Sequence, residues 1–225
     1  KNISELMIKA DIAFGAGGST SWERCCLGLP TIIIITADNQ NKNAAGISSF
    51  GAGLNLGRAE DVSVNLIAAA IKKIANDPSM FFGLSEAAAE ICDGKGATRI
   101  ALALQSPASD NLGAPVRMRL SRQQDMEIMF RWQQHPDTRH YARNPGTPSW
   151  KEHKKWFERK AIDNRCELLM IVRSGCEVGV FRRDRLKSGR YEVSIVIAPE
   201  VRGQGIGKAS LKFANGFWPG DELYA

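Results

Sequence analysis

The sequence has no apolar run near the ~20 residues that a membrane-spanning helix needs. The β-branched run Thr31–Ile35 has the length of a buried strand. The N-terminal stretch lacks the basic-then-apolar layout of a secretory leader, so neither membrane nor export is expected. Histidine is scarce, with three in the chain, and the five cysteines (Cys25, Cys26, Cys92, Cys166, Cys176) form no C-x-x-C pair. That pattern gives no zinc site, and an odd, scattered count fits a reducing, cytoplasmic setting. Basic residues do not interleave with a run of exposed aromatics, so a nucleic-acid partner is not expected either. His135, His140 and His153 do not cluster in sequence and read as surface or helix-end residues. Trp132, Trp150 and Trp156 read as core or cleft-lining residues.

What is present suits a globular protein of one large or two small domains: 225 residues, 44% hydrophobic and 24% charged. The net charge of +6 is uneven. Residues 1–112 carry 9 Lys/Arg against 11 Asp/Glu (−2), and residues 113–225 carry 21 against 13 (+8). Two units with different partners are implied, the second suited to a polyphosphorylated molecule.

In the second half, Glu192–Ile197 is a β-branched run that reads as a strand, and Ala209–Ala214 reads as a helix. Between them lies Val201-Arg202-Gly203-Gln204-Gly205-Ile206-Gly207-Lys208. Three glycines in five residues clear the way for close backbone approach to a ligand. Free amides opening a helix favour an anion such as pyrophosphate, with Arg202 and Lys208 adding positive charge. The first half repeats the scheme: a strand at 11–14, the loop Gly15-Ala16-Gly17-Gly18-Ser19-Thr20, and a helix over 21–27. Glu23, in the first turn of that helix, either complements its dipole or accepts hydrogen bonds from vicinal hydroxyls. Asn39 and Gln40 follow the Thr31–Ile35 strand, where open α/β sheets bind ligands. Residues 106–115, rich in Pro, Ser and Gly, read as a linker. Beyond it, a strand, two helices, a three-strand antiparallel meander and a turn–helix make an α+β unit.

Gly15–Glu23, Gly28-Leu29-Pro30, Asn39-Gln40 and Asp93–Arg99 together resemble the C-terminal domain of a GT-B nucleotide-sugar enzyme. The nearest type is the UDP-sugar hydrolase of pseudaminic-acid biosynthesis. The resemblance covers residues 1–105 and implies a Rossmann-like half of a GT-B fold with a parallel sheet. By it, Gly17, Gly18, Ser19 and Thr20 would hold a diphosphate, Glu23 the ribose hydroxyls, and Asn39 and Gln40 the sugar side. It also implies that the chain begins inside the second GT-B domain, without the half that carries that family's proposed catalytic histidine.

Arg202-Gly203-Gln204-Gly205-Ile206-Gly207, with Pro136-Asp137-x-Arg139, Gly179 and Ala198-Pro199-Glu200, resembles a GNAT N-acetyltransferase over residues 116–225. The implied fold is an α+β GNAT domain with a mixed sheet, and the implied cofactor is acetyl-CoA. Residues Arg202 to Lys208 would take its pyrophosphate, and the backbone of Ile195, Val196 and Ile197 would pair with the pantetheine arm. Glu192 is the candidate catalytic base, or else a solvent-facing strand residue, and Ser194 is a second polar candidate on the same face. By the resemblance the chain stops inside the strand at Leu223-Tyr224, and Tyr224 does not replace the family's thiolate-protonating tyrosine. The pairing of domains implies a bifunctional nucleotide-sugar enzyme with a UDP-amino-sugar substrate. A GNAT acetylating a protein N-terminus or a ribosomal protein, and a non-catalytic UDP-sugar or acetyl-CoA binding module, are the alternatives.

Overall fold

Every residue of Thr31–Ile35 is buried, which a strand achieves only when both faces of its sheet are covered. In the computed structural model, which describes residues 2–140 and 142–224, this strand is the centre of the first of two compact units, residues 1–96. That unit runs α1 (Ile3–Ile8), β1 (Ala13–Ala16), α2 (Thr20–Cys26), β2 (Thr31–Ile35), α3 (Asn41–Ser49), β3 (Leu54–Arg58), α4 (Val64–Asn76) and α5 (Pro78–Ile91). The sheet order is β1-β2-β3, all parallel. Alternation along β2 sends Ile33 and Ile35 against Cys25, Ala44, Ile47 and Ala88, and Ile32 against Ala70, Ile74 and Leu84. Because the strands are parallel, the loops after β1 and β2 open at the same sheet edge.

The second unit, residues 97–225, is built on a six-stranded mixed sheet of order β4-β5-β6-β7-β8-β9. Its elements are α6 (Gly96–Leu104), β4 (Ala108–Ser109), β5 (Pro115–Leu120), α7 (Met126–Gln134), α8 (Pro136–His140), α9 (Trp150–Ile162), β6 (Cys166–Arg173), β7 (Cys176–Arg185), β8 (Tyr191–Ile197), α10 (Ile206–Phe217) and β9 (Leu223–Tyr224). All pairings are antiparallel except β8–β9, which is parallel. One face packs Leu169, Ile171, Phe181 and Val193 against Ile206, Phe213 and Leu102. The other packs Leu168, Met170 and Val180 against Met129, Trp132 and Phe157 of α7 and α9. Asp125, buried just before α7, accepts from Arg119 at 2.7 Å and from the Arg122 amide at 2.6 Å, which fixes the entry into that helix.

One sequence expectation is corrected here. The stretch over 106–115, expected as a linker, is folded, and the two compact units part at 96/97. Ala108–Ser109 pairs with β5, and the Asp110 carboxylate takes the Leu112 and Ala114 amides at 2.9 Å each and the Arg173 guanidinium at 2.6 Å. A buried carboxylate with three donors orders a segment that composition alone marks as loose. Leu54–Arg58, not anticipated as a strand, completes the first sheet. Pro78 opens α5 and Pro136 opens α8, since an N1 proline gives up no needed N–H. No helix of the described residues is long and apolar enough to cross a membrane.

Candidate active site

Register decides what β8 offers. The Ala198 amide donates to the Val178 carbonyl at 2.8 Å, so in this ladder the even-numbered residues of β8 direct their backbone groups at β7. The odd-numbered residues direct theirs at the opposite edge. There β9 pairs only with Tyr191 and Glu192. Beyond Val193 the edge has no strand partner among the described residues, which leaves the N–H and C=O of Ile195 and the N–H of Ile197 available. Val196 is thereby corrected as a backbone partner: its amide and carbonyl belong to the β7 ladder, and its side chain joins the α7/α9 face.

That face carries Glu192 and Ser194 on β8, opposite Asp184 and Arg182 on β7. A cavity of about 1000 Å³ opens over it, lined by Glu192, Ser194, Ile195, Val196, Ile197 and Arg202, with Trp156, Gln133 and Thr138 from the helical side. Glu192 is half-buried and meets the exposed Arg143 guanidinium at 3.0 Å. His153 lies beneath the cavity and is 4% exposed, contrary to the surface position expected of it. The spacing of Trp150, His153 and Trp156 puts it on the inner stripe of α9, among the rings of Phe130, Trp150 and Trp156. Burial pulls its pKa below 6.5, against the opposing effect of its 3.0 Å hydrogen bond to the Met126 carbonyl. Facing a carbonyl oxygen, Nε2 is the donor, and burial favours the neutral ring.

The glycine turn follows β8. Gly203 and Gly205 have φ of +77° and +81°, a region natural only to glycine, and Gly205 is the N-cap of α10. The amides of Gln204, Gly205, Ile206, Gly207 and Lys208 donate to no acceptor among the described residues. A Cβ on Gly207 would meet nothing within 4 Å, whereas one on Gly205 would strike the Asn111 side chain. Asn111 in turn donates its amide to the Gln204 carbonyl at 3.0 Å, so the folded 106–115 segment buttresses the turn from behind. Arg202, expected among the pyrophosphate ligands, is also held by the protein. Its guanidinium donates to the Ile197 carbonyl at 3.1 Å and to Thr138 Oγ1, clamping the turn to α8.

In the first unit, the amides of Gly18, Ser19 and Thr20 are likewise without acceptors among the described residues. Gly17 is corrected from ligand to packing residue. Its amide donates to the Ile34 carbonyl at 3.1 Å, and a Cβ there would press Ala44 and Ile33 at 3.2 Å. Gln40 touches that same loop, but its side-chain oxygen accepts from the Thr36 amide at 3.0 Å and so is committed locally. Glu23 and Asn39 are exposed. Arg24, which sequence reading passed over, is 4% exposed beneath the loop, with its guanidinium on the Ala16 carbonyl at 2.7 Å and Ser21 Oγ at 2.8 Å. Burial lowers its pKa, and its Nε has no partner among the described residues. Its one sequence signal is a lone cation inside an otherwise apolar-facing turn of α2.

Comparison with known proteins also divides the chain in two. Residues 116–221 match the model of the Acetyltransferase (GNAT) domain, and residues 1–100 match that of the Glycosyltransferase family 28 C-terminal domain. The chain therefore carries a GNAT acetyltransferase domain behind a region like the C-terminal domain of family 28 glycosyltransferases. Spore coat polysaccharide biosynthesis protein SpsG of Bacillus subtilis (strain 168) is similar, at 29% identity over 104 residues, 46% of this chain. The match spans 31% of that protein's length. Among solved structures, spermidine N-acetyltransferase from Vibrio cholerae in complex with CoA and spermine is similar at 17% identity and a TM-score of 0.41, over 46% of this chain and 64% of that one. The GNAT domain of S. lividans PAT is similar at 18% identity and a TM-score of 0.40, over 52% and 73%.

Proposed function

We propose that residues 97–225 transfer an acetyl group from acetyl-CoA to an amine, and that the amine belongs to a UDP-linked amino sugar. The observation that carries the reading is one line of backbone: five acceptor-less amides at the turn and an unpaired edge at Ile195 and Ile197, with a cavity along β8 that is lined by Glu192 to Ile197 and by Arg202. Donors of this kind fit a pyrophosphate joined to an amide-bearing arm. The family 28-like region and the SpsG similarity favour a sugar-nucleotide acceptor over a peptide.

When bound, the coenzyme supplies an acetyl thioester open to attack by an amine. From this chain, the Gln204–Lys208 amides hold the negative end and Ile195 and Ile197 align the arm along β8. Glu192 takes the proton that the amine loses as the C–N bond forms and the C–S bond breaks, directly or through a water. Water in turn gives a proton to the departing thiolate, and Ser194 orients the amine on the same face. In the first unit, Gly18, Ser19 and Thr20 receive the nucleotide's diphosphate, with Arg24 supplying positive charge beneath and Glu23 reaching the ribose. That unit is thereby the nucleotide-binding domain of a UDP-sugar hydrolase type, supplying the diphosphate and ribose contacts.

Transfer of radiolabelled acetyl to a UDP-linked amino sugar, against transfer to a peptide N-terminus, tests the reading. The sugar nucleotide is the expected acceptor, and Glu192→Gln should cut kcat by roughly 10²–10⁴. Preference for the peptide would overturn it.

A further inference from the structure

A second cavity, of about 410 Å³, adjoins the first and shares Arg143, Arg182 and Glu192 with it. We propose that this basin holds a phosphate or diphosphate of the acceptor, so that the amine is presented to Glu192 by a phosphorylated carrier. The inference rests on the acetyltransferase reading and names the chemistry of its acceptor.

The argument is charge balance. Six cations face three carboxylates in the basin. Asp184 holds Lys160 at 2.5 Å and Arg182 at 2.6 Å, Asp163 holds Arg165 at 3.4 Å, and Glu192 holds Arg143 at 3.0 Å. With the carboxylates occupied, Arg185 and Lys187 have no acidic partner among the described residues. An excess of three positive charges in a concave site focuses potential and raises the local concentration of anions. It repels polycationic amines for the same reason.

The coenzyme's own pyrophosphate does not account for the basin. Its turn lies past Ile197, at the other end of β8, and five strand steps from Glu192 cover roughly 17 Å. A second anion is therefore specified near the proton acceptor. Arg143, whose side chain is 83% exposed, borders both cavities and can pass from Glu192 to an arriving phosphate, freeing the carboxylate for the amine.

The test uses the full chain with saturating coenzyme A, so that the turn is filled, and inorganic pyrophosphate as the calorimetric probe. Arg185→Ala/Lys187→Ala should weaken pyrophosphate binding at least tenfold relative to the unaltered chain, and Arg185→Glu should weaken it further. Both positions are exposed, and an unchanged circular dichroism spectrum confirms that the variants fold. In turnover, glucosamine 6-phosphate should exceed glucosamine in kcat/KM, and the double variant should shrink that ratio toward one. An unchanged pyrophosphate titration, or equal use of the two amines by the unaltered chain, overturns the proposal. Failure of the acetyltransferase reading looks different: no amine is acetylated, while pyrophosphate binding still falls in the double variant.

Discussion

Gly205 and Gly207 are two residues apart and differ in kind. At Gly205 the backbone has φ of +81° and a Cβ would enter the Asn111 side chain. At Gly207, inside the first turn of α10, a Cβ points into open space. Gly205→Ala should cost about 1–3 kcal/mol through strain alone, while Gly207→Ala should be neutral or gain up to about 1 kcal/mol from helix propensity. Denaturant midpoints of the two variants check this, and equal midpoints would contradict it. His153 sets a pH dependence. Its folded pKa lies below 6.5 because it is buried, so the unfolded chain takes up the proton first as pH falls. Stability is then complete above about 6.5 and declines below it, toward the folded pKa. Melting temperatures at pH 7.5 and 5.5 should differ less in His153→Gln than in the unaltered chain. The same drop in both would remove His153 from the account.

At the scale of elements, strands and helices with their own periodicity were legible. The β8–turn–α10 unit could be located because a β-branched run, three glycines and a helical stretch are contiguous in sequence. What sequence reading missed depends on partners far along the chain. Leu54–Arg58 alternates weakly, with Asn55 and Gly57 inside it, and becomes a strand only beside β2. The stretch over 106–115 has the composition of a linker, yet Asp110 reaches Arg173 and Asn111 reaches the turn, 63 residues away in the first case. Val196 was misassigned because period-two reasoning places side chains but does not by itself say which backbone groups face which neighbour. Burial would raise the Asp110 pKa, but the Ala114 and Leu112 amides and Arg173 outweigh it and hold the carboxyl below 3.8. Its contribution is therefore present above pH 3.8 and lost as pH falls through the lower folded value. Asp110→Asn, which weakens the charge-assisted bonds, should lower both the melting temperature and the affinity for acetyl-CoA at pH 7. A lowered melting temperature with unchanged affinity would show that the hairpin does not support the turn.

For the whole molecule, each unit has its own core, and each presents unsatisfied amides where a glycine loop opens a helix. The uneven charge read from the sequence has in part a location, since a net three positive charges of the second half line the basin beside Glu192. The resemblance to acetyltransferases supplied the class of reaction. The structure supplied which backbone groups are free, which no spacing of residues reveals. The central claim is that the amides of 204–208 receive the phosphates of acetyl-CoA. Calorimetric titration of acetyl-CoA into the unaltered chain and into Gly207→Asp tests it most directly. A carboxylate at that position complements the helix dipole and so leaves the fold intact, but it stands against phosphate. The account predicts saturable binding by the unaltered chain and a loss of at least tenfold in the variant; equal affinities would contradict it.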